Sequence, residues 1–250
     1  MKQIERFKIG TCIIALLMMS NGLFANYLTT DQHKQNDLKI LKNTYQVLEI
    51  NNEISDFELN SLYMENQEFL RISMITYTSN LEYGAPELPV NRKLIEIPFG
   101  AELSLEILAA EYVDFDLQKM GYEAPIYPAQ PPQSKSQENH PFIYDRQKYM
   151  HDSYGQKDLA WTEMIGVMRG IRIARLNIAP FQYNPVQNVL RVYSSIQVRV
   201  SFDGADIAST IEMKKKNANP YFSGLNSFFL NHKTLPAREN FMRYHIKYVI

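Results

Sequence analysis

From Tyr45 onward, short apolar runs recur between turn residues. Most of them alternate apolar with polar, the period that sends every second side chain of a strand to the same face. YQVLEI, starting at Tyr45, reads as a strand. FLRISMITYT carries Ile72, Met74 and Thr76 on one parity and Ile75 and Tyr77 on the other, which predicts a strand buried on two faces. Leu103, Leu105, Ile107 and Ala109 share a face opposite Ser104 and Glu106, and Val113, Phe115 and Leu117 resume that parity, so a half-buried strand is expected. Val192, Ile196, Val198, Val200 and Phe202 alternate with Arg191, Gln197, Arg199 and Ser201.

Turn signals connect these runs. Pro98-Phe99-Gly100 predicts a hairpin turn between two β-rich runs. The parity shift from Ile171 and Ile173 to Leu176 and Ile178 predicts a bulge near Ala174-Arg175. With a turn at Tyr183 to Asn188, residues 165–202 read as one long hairpin, one face buried and one lined with arginine and serine. YGAPELPV at 83–90 is extended and turn-rich, because two prolines and a glycine suit neither a helix nor a central strand. Residues 121–160 hold Pro125, Pro128, Pro131, Pro132 and Pro141 among polar filler, which predicts a long solvated loop. Residues 26–44 form a polar lead-in, and Leu225, Phe228, Phe229 and Leu230 suit one side of a short helix. The expected fold is mostly β: an antiparallel β-sandwich, jelly-roll-like, with short helices and a long proline-rich loop.

Composition narrows the class. The 250 residues are 45% hydrophobic and 21% charged, a globular profile. A net charge of -1 offers no field for nucleic acid or an anionic membrane. Lys2, Arg6 and Lys8, the apolar run Ile13 to Met19 and the small residue Ala25 make residues 1–25 a signal peptide cut after Ala25. The apolar run is too short for a stable membrane span. Export is therefore expected. The only cysteine, Cys12, leaves with that segment, so the mature chain has no disulfide, thiolate ligand or cysteine nucleophile.

Catalytic patterns are missing from the sequence. The histidines at 33, 140, 151, 232 and 245 have no metal-ligand spacing, and no metal or cofactor is expected. Glu106 and Glu111 read as solvent-face strand residues rather than an acid/base pair. The arginines at 169, 172, 175, 191 and 199 read as a solvated face more readily than a polyanion site. Trp161 and scattered tyrosines leave open a stand-alone secreted β-sandwich for adhesion or carbohydrate binding.

Three stretches carry a family resemblance. YGAPELPV, with Gly84, Pro86 and Pro89, resembles the G-x-P-x-L-P-V signature of gingipain-type propeptides. RKLIEIPFGAELSLEI resembles the strand, turn and alternating strand that follow it. MRGIRIARLNIAPFQYNPVQNVLRVYSSIQVRVSF, with Arg169, Gly170, Pro180, Tyr183, Asn184 and Pro185, resembles the family's M-R-G…P…Y-N-P…L-x-V-Y segment. The resemblance implies that residues 45–246 are the prodomain of a cysteine endopeptidase precursor, with 247–250 as the first residues of a truncated caspase-like catalytic domain. It further implies a Bacteroidetes-type Gram-negative source and type IX secretion, to the periplasm, cell surface or medium. The implied partner is the cognate caspase-like protease domain, in cis or in trans, which the prodomain inhibits and helps to fold. Such proteases prefer Arg or Lys, so Lys135, Arg146 or Lys148 in the proline-rich loop is a candidate to fill the specificity pocket. Lys216, in the run Lys214-Lys215-Lys216, and Arg238 are candidate activation cuts by charge.

Overall fold

The computed structural model describes residues 26–30, 36–132, 141–155, 158–217 and 220–233. Three antiparallel sheets make up most of it, the central one sharing a core with each of the other two. Strand β12 (Val189–Asp203) is the spine of the central sheet. Its one edge pairs along its length with β8 (Glu102–Asp116). Its other edge pairs first with β11 (Phe181–Asn184) and then with β3 (Val47–Glu53), which pairs with β2 (Asp37–Asn43). The second sheet runs β6 (Thr78–Ser79), β7 (Pro89–Ile97), β10 (Ile171–Ile178), β9 (Ala160–Met168). The third runs β1 (Asn26–Thr29), β4 (Asp56–Met64), β5 (Gln67–Ser73). Helix α1 spans Ile207–Asn217.

The alternation along β12 explains both cores. Its C-terminal half presents Ile196, Val198, Val200 and Phe202 to Ile95, Ile97, Ala174, Leu176 and Ile178 of the second sheet. Its N-terminal part, with β11, presents Leu190, Val192, Phe181 and Tyr183 to Phe57, Leu59, Leu70 and Ile72 of the third. Asn91 and Tyr77 both donate to Asn52 Oδ1, at 2.8 and 2.9 Å, which bridges β7 to β3 through an apolar interior. The bridge satisfies the buried Asn52 carbonyl oxygen, as is usual for buried polar atoms.

Antiparallel β structure is as expected, but several local readings change. Pro98-Phe99-Gly100 is a turn without a hairpin: β7 lies in the second sheet and β8 in the central one. The edges of β7 are taken by β10 and β6, while the fifteen residues of β8 match the length of β12. Residues 165–202 form parts of two hairpins in two sheets, β9/β10 and β11/β12, rather than one. A bulge is present at this point but on the partner strand: pairing slips between Ile173 and Ala174 because β9 carries the extra residue, Ile165, while β10 keeps an unbroken register with β7.

The run from Phe69 ends as a strand at Ser73, because Thr76 adopts φ 70° in a turn that leaves Ile75 92% exposed. Within 26–44, the lead-in contains β1 and β2. Helix α1 lacks a strong apolar stripe and buries only Thr210. It is set by Asp206, whose Oδ1 accepts from the Ser209 backbone at 3.0 Å, and by three lysines in its last turn, which suit the negative end of the helix dipole. At the foot of the 3₁₀ segment Pro220–Phe228, Phe229 is buried while Phe228 is 65% exposed. The signal region 1–25 with Ala25, the segment 247–250, Lys135 and Arg238 lie outside the described residues.

Candidate functional site

Much of the proline-rich segment is packed rather than solvated. Its outgoing limb, 125–129, threads between β5 and residues 84–87. Leu70 N donates to Pro125 O at 2.8 Å and Tyr127 N to Leu70 O at 2.7 Å. On the opposite side Glu87 N donates to Tyr127 O at 2.7 Å, Ala129 N to Ala85 O at 2.8 Å, and Gly84 N to Ala129 O at 2.8 Å. Proline fits here because Pro125 supplies only its carbonyl. Ile126, Tyr127 and Ala129 are buried.

The return limb, 141–150, lies back on the same support. The Gln130 amide clasps Ile143, accepting from its N–H at 2.9 Å and donating to its carbonyl at 2.7 Å. Asp145 N donates to Gly84 O at 3.1 Å. Gly84 has φ 80°, and a Cβ there would lie 3.1 Å from Asp145 Cβ, Asp145 N and Ile143 Cγ2. Only glycine combines that conformation with that approach.

Aromatic rings hold the limb from beneath. Phe69 meets Tyr127, Phe142 and Tyr144 with ring centroids 5.8, 5.7 and 5.5 Å apart, and Tyr144 meets Tyr149 at 4.8 Å. Tyr149 donates to Ile126 O at 2.8 Å, tying the return limb to the outgoing one. Burial pushes its phenol far above the ordinary range.

The two packed limbs, 125–130 and 141–150, form a strap, and the basic candidates on its return limb separate on this support. Asp145 Oδ1 accepts from Gln147 N at 3.1 Å and caps a single 3₁₀ turn, Arg146–Tyr149. Arg146, the first residue of that turn, is exposed and makes no ion pair among the described residues. Lys148, two residues on, pairs with the Glu82 carboxylate. Of the activation-cut candidates, Lys216 is exposed within α1, whereas the side chain of Lys214 in the same run is largely covered where it pairs with Glu96.

The remaining motif residues serve turns and anchors. Asn184 Oδ1 accepts from Val186 N and Gln187 N at 3.1 and 3.2 Å, which closes the turn around Pro185. Asn184 Nδ2 donates to Asp152 Oδ1 at 2.8 Å, and Gln187 Nε2 donates to the same oxygen at 2.8 Å, so this turn also pins the chain just past the strap. Tyr183 donates to Asn188 Oδ1 at 2.8 Å. Pro180 O accepts from Tyr193 N at 2.8 Å, Pro86 bridges Pro128, and Pro89 opens β7. Arg169 and Gly170 form the two-residue turn between β9 and β10, both with positive φ.

Sequence reasoning missed Glu82, Gln130, Asp145 and the ring cluster. The spacing of Phe142, Tyr144 and Tyr149 within a polar segment was the available signal. Among the described residues no three His, Cys, Asp or Glu converge to hold a metal. The arrangement is suited to presenting a guanidinium on a rigid support.

The Propeptide_C25 family model matches residues 29–232. Lys-gingipain of Porphyromonas gingivalis is 34% identical over 182 residues, 72% of this chain and 10% of that protein. Gingipain R2 of the same species is 26% identical over 154 residues, 61% of this chain and 20% of that protein. The chain thus spans a tenth to a fifth of the length of these curated relatives. A solved structure described as giving insight into the zymogenic latency of gingipain K from P. gingivalis superposes with a TM-score of 0.67 at 30% identity, covering 73% of this chain and 100% of that one. A complex of P. gingivalis RgpB pro- and mature domains gives a TM-score of 0.62 at 18% identity, over 78% of this chain and 98% of that one, a likeness of fold.

Proposed function

Because this chain belongs to the Propeptide_C25 family, the gingipain-type propeptides, we propose that it is the inhibitor and folding aid of a cysteine endopeptidase domain, acting by covering that domain's substrate cleft. The chain is exported to the periplasm, cell surface or medium, and its partner is a caspase-like protease domain, in cis or in trans. Arg146 fills the specificity pocket. The observation that supports this reading is the anchored strap with an exposed Arg146 at its capped turn, without an ion-pair partner among the described residues. A guanidinium suits a pocket built around a carboxylate, since it can bond it with two parallel N–H groups. Lys148 is a brace instead, because its ammonium is already engaged by Glu82. Leu81, beside Glu82, and Met150, beside the turn, are 62% and 75% exposed and become buried on the protease, which aids folding by covering apolar surface on both sides.

The test is inhibition of a mature gingipain-type catalytic domain by the purified chain. Arg146→Glu is expected to weaken inhibition by roughly tenfold or more, because a charged hydrogen bond contributes about 1.5–3 kcal/mol. Lys148→Gln should change it far less. Unchanged inhibition by the Arg146→Glu chain discards the pocket-filling role.

A further inference from the structure

A basic residue offered to a protease that cuts after basic residues should be a substrate. We infer that the Arg146–Gln147 bond is withheld from cleavage because it is wound into the capped 3₁₀ turn, and that Asp145 and Gly84 are the positioning residues that keep it wound. The inference rests on Arg146 occupying the pocket as proposed above.

Cleavage of a folded chain requires the segment to open, and its rate follows the population of the open form when reclosing is fast. Here the bond lies just inside the turn. Asp145 is extended, at φ -84° and ψ 92°, and the chain coils immediately after it. Straightening the bond removes the Gln147 N–H from Asp145 Oδ1 and the Lys148 N–H from Asp145 O, 3.1 Å each. It also draws Lys148 from Glu82 and lifts the Tyr149 ring off Tyr144 and its hydroxyl off Ile126 O.

A lone 3₁₀ turn has little stability of its own, so these contacts carry it. On the N-terminal side the clamp is Gly84, whose carbonyl accepts from Asp145 N and whose missing Cβ leaves room for the Asp145 backbone. On the C-terminal side it is Tyr149. The side chain between the clamps projects while its own peptide bond stays closed.

The full chain and its Asp145→Ala and Gly84→Ala variants are incubated with an arginine-cleaving mature gingipain-type domain, and the fragment beginning at Gln147 is followed by mass. A synthetic peptide of residues 141–150 sets the rate for an unprotected bond. Wild type should be cut slowly, at a small fraction of the peptide's rate, while it inhibits. Asp145→Ala should be cut roughly fivefold faster than wild type, the usual cost of losing an Asp cap. Gly84→Ala should be cut at least as fast, with circular dichroism confirming that the β structure persists; if it does not fold, Tyr149→Phe takes its place. Variants as resistant as wild type overturn the inference alone, as does wild type cut as fast as the peptide. An Arg146→Ala chain that inhibits like wild type overturns the pocket-filling reading and the inference with it.

Discussion

The Lys214 ammonium donates to the Glu96 carboxylate across 118 residues of chain, and both side chains are nearly closed to solvent, 8% and 7% exposed. The other carboxylate oxygen lies 2.8 Å from His232 Nδ1. Asn231 completes the junction, accepting from Glu96 N at 2.7 Å and donating to Glu96 O at 2.8 Å as a neighbouring strand would. Helix α1 and the 229–233 segment are thereby locked to β7. Lys214→Ala removes the ammonium bonded to the buried Glu96 carboxylate and should lower stability by about 3–5 kcal/mol, read as a reduced urea midpoint. Glu96→Leu combined with Lys214→Met should be much closer to wild type, because neither charge is then stranded.

Lys233 sets a pH dependence at the same junction. Burial, and then the nearby Lys214, lower its pKa to about 8, and its ammonium sits 4.0 Å from the Tyr45 ring centre. The unfolded chain keeps this proton up to about 10.4. Between these values the unfolded state binds more protons, so the Lys233 contribution makes stability rise with pH above about 8. Below that the cost of burying the charge is constant. Above about 10 the trend reverses, because the buried phenols of Tyr149 and Tyr183 resist an ionisation that the unfolded chain undergoes. Urea titrations at pH 7, 8, 9 and 10 should show the rise, and Lys233→Met should flatten it.

The β9/β10 turn should be sensitive to a single methyl group. Gly170 has φ 77°, and a Cβ there would come within 2.6 Å of Asn217 Nδ2, which bonds Met213 O at the end of α1. Gly170→Ala should cost about 1–3 kcal/mol, from backbone strain and the displaced Asn217. Thermal denaturation should show a Tm lower by roughly 2–4 °C per kcal/mol.

Arg191 links β12 to the end of the strap region. Its guanidinium bonds both oxygens of Asp114 at 2.8 Å and lies 3.9 Å from the Tyr112 ring centre and 4.4 Å from that of Tyr154. Arg191→Lys keeps the charge but loses the fork and the stacking plane. Faster amide hydrogen exchange around Tyr154, with little change in β3, is the expected result.

Much of the fold was legible in the residues. The alternation along β12 identified its buried face, because period two has only one structural meaning on a half-buried strand. The parity shift in β10 pointed to an irregularity at Ile173/Ala174, but the strand that carries the extra residue, β9 at Ile165, was not legible from it. Sheet membership was not: a turn such as Pro98-Phe99-Gly100 looks the same whether its strands pair with each other or leave for different sheets. Helix α1 was missed because its cap and its Lys214–Glu96 contact hold it, and its apolar pattern does not.

At the candidate site the division has the same cause. By itself the sequence determined a β-rich chain, a prodomain signature and a set of basic residues in a proline-rich segment. Nothing in that segment distinguishes Arg146 from Lys148, since both are basic residues two positions apart. Their difference lies in what faces them, Glu82 for Lys148 and no carboxylate among the described residues for Arg146. The packing of the strap was likewise decided by partners distant in sequence, Phe69, Leu70 and Gly84. Local composition reports the tendency of a segment to stay in water. Whether it does so depends on the edge and the aromatic surface that the rest of the chain brings to it.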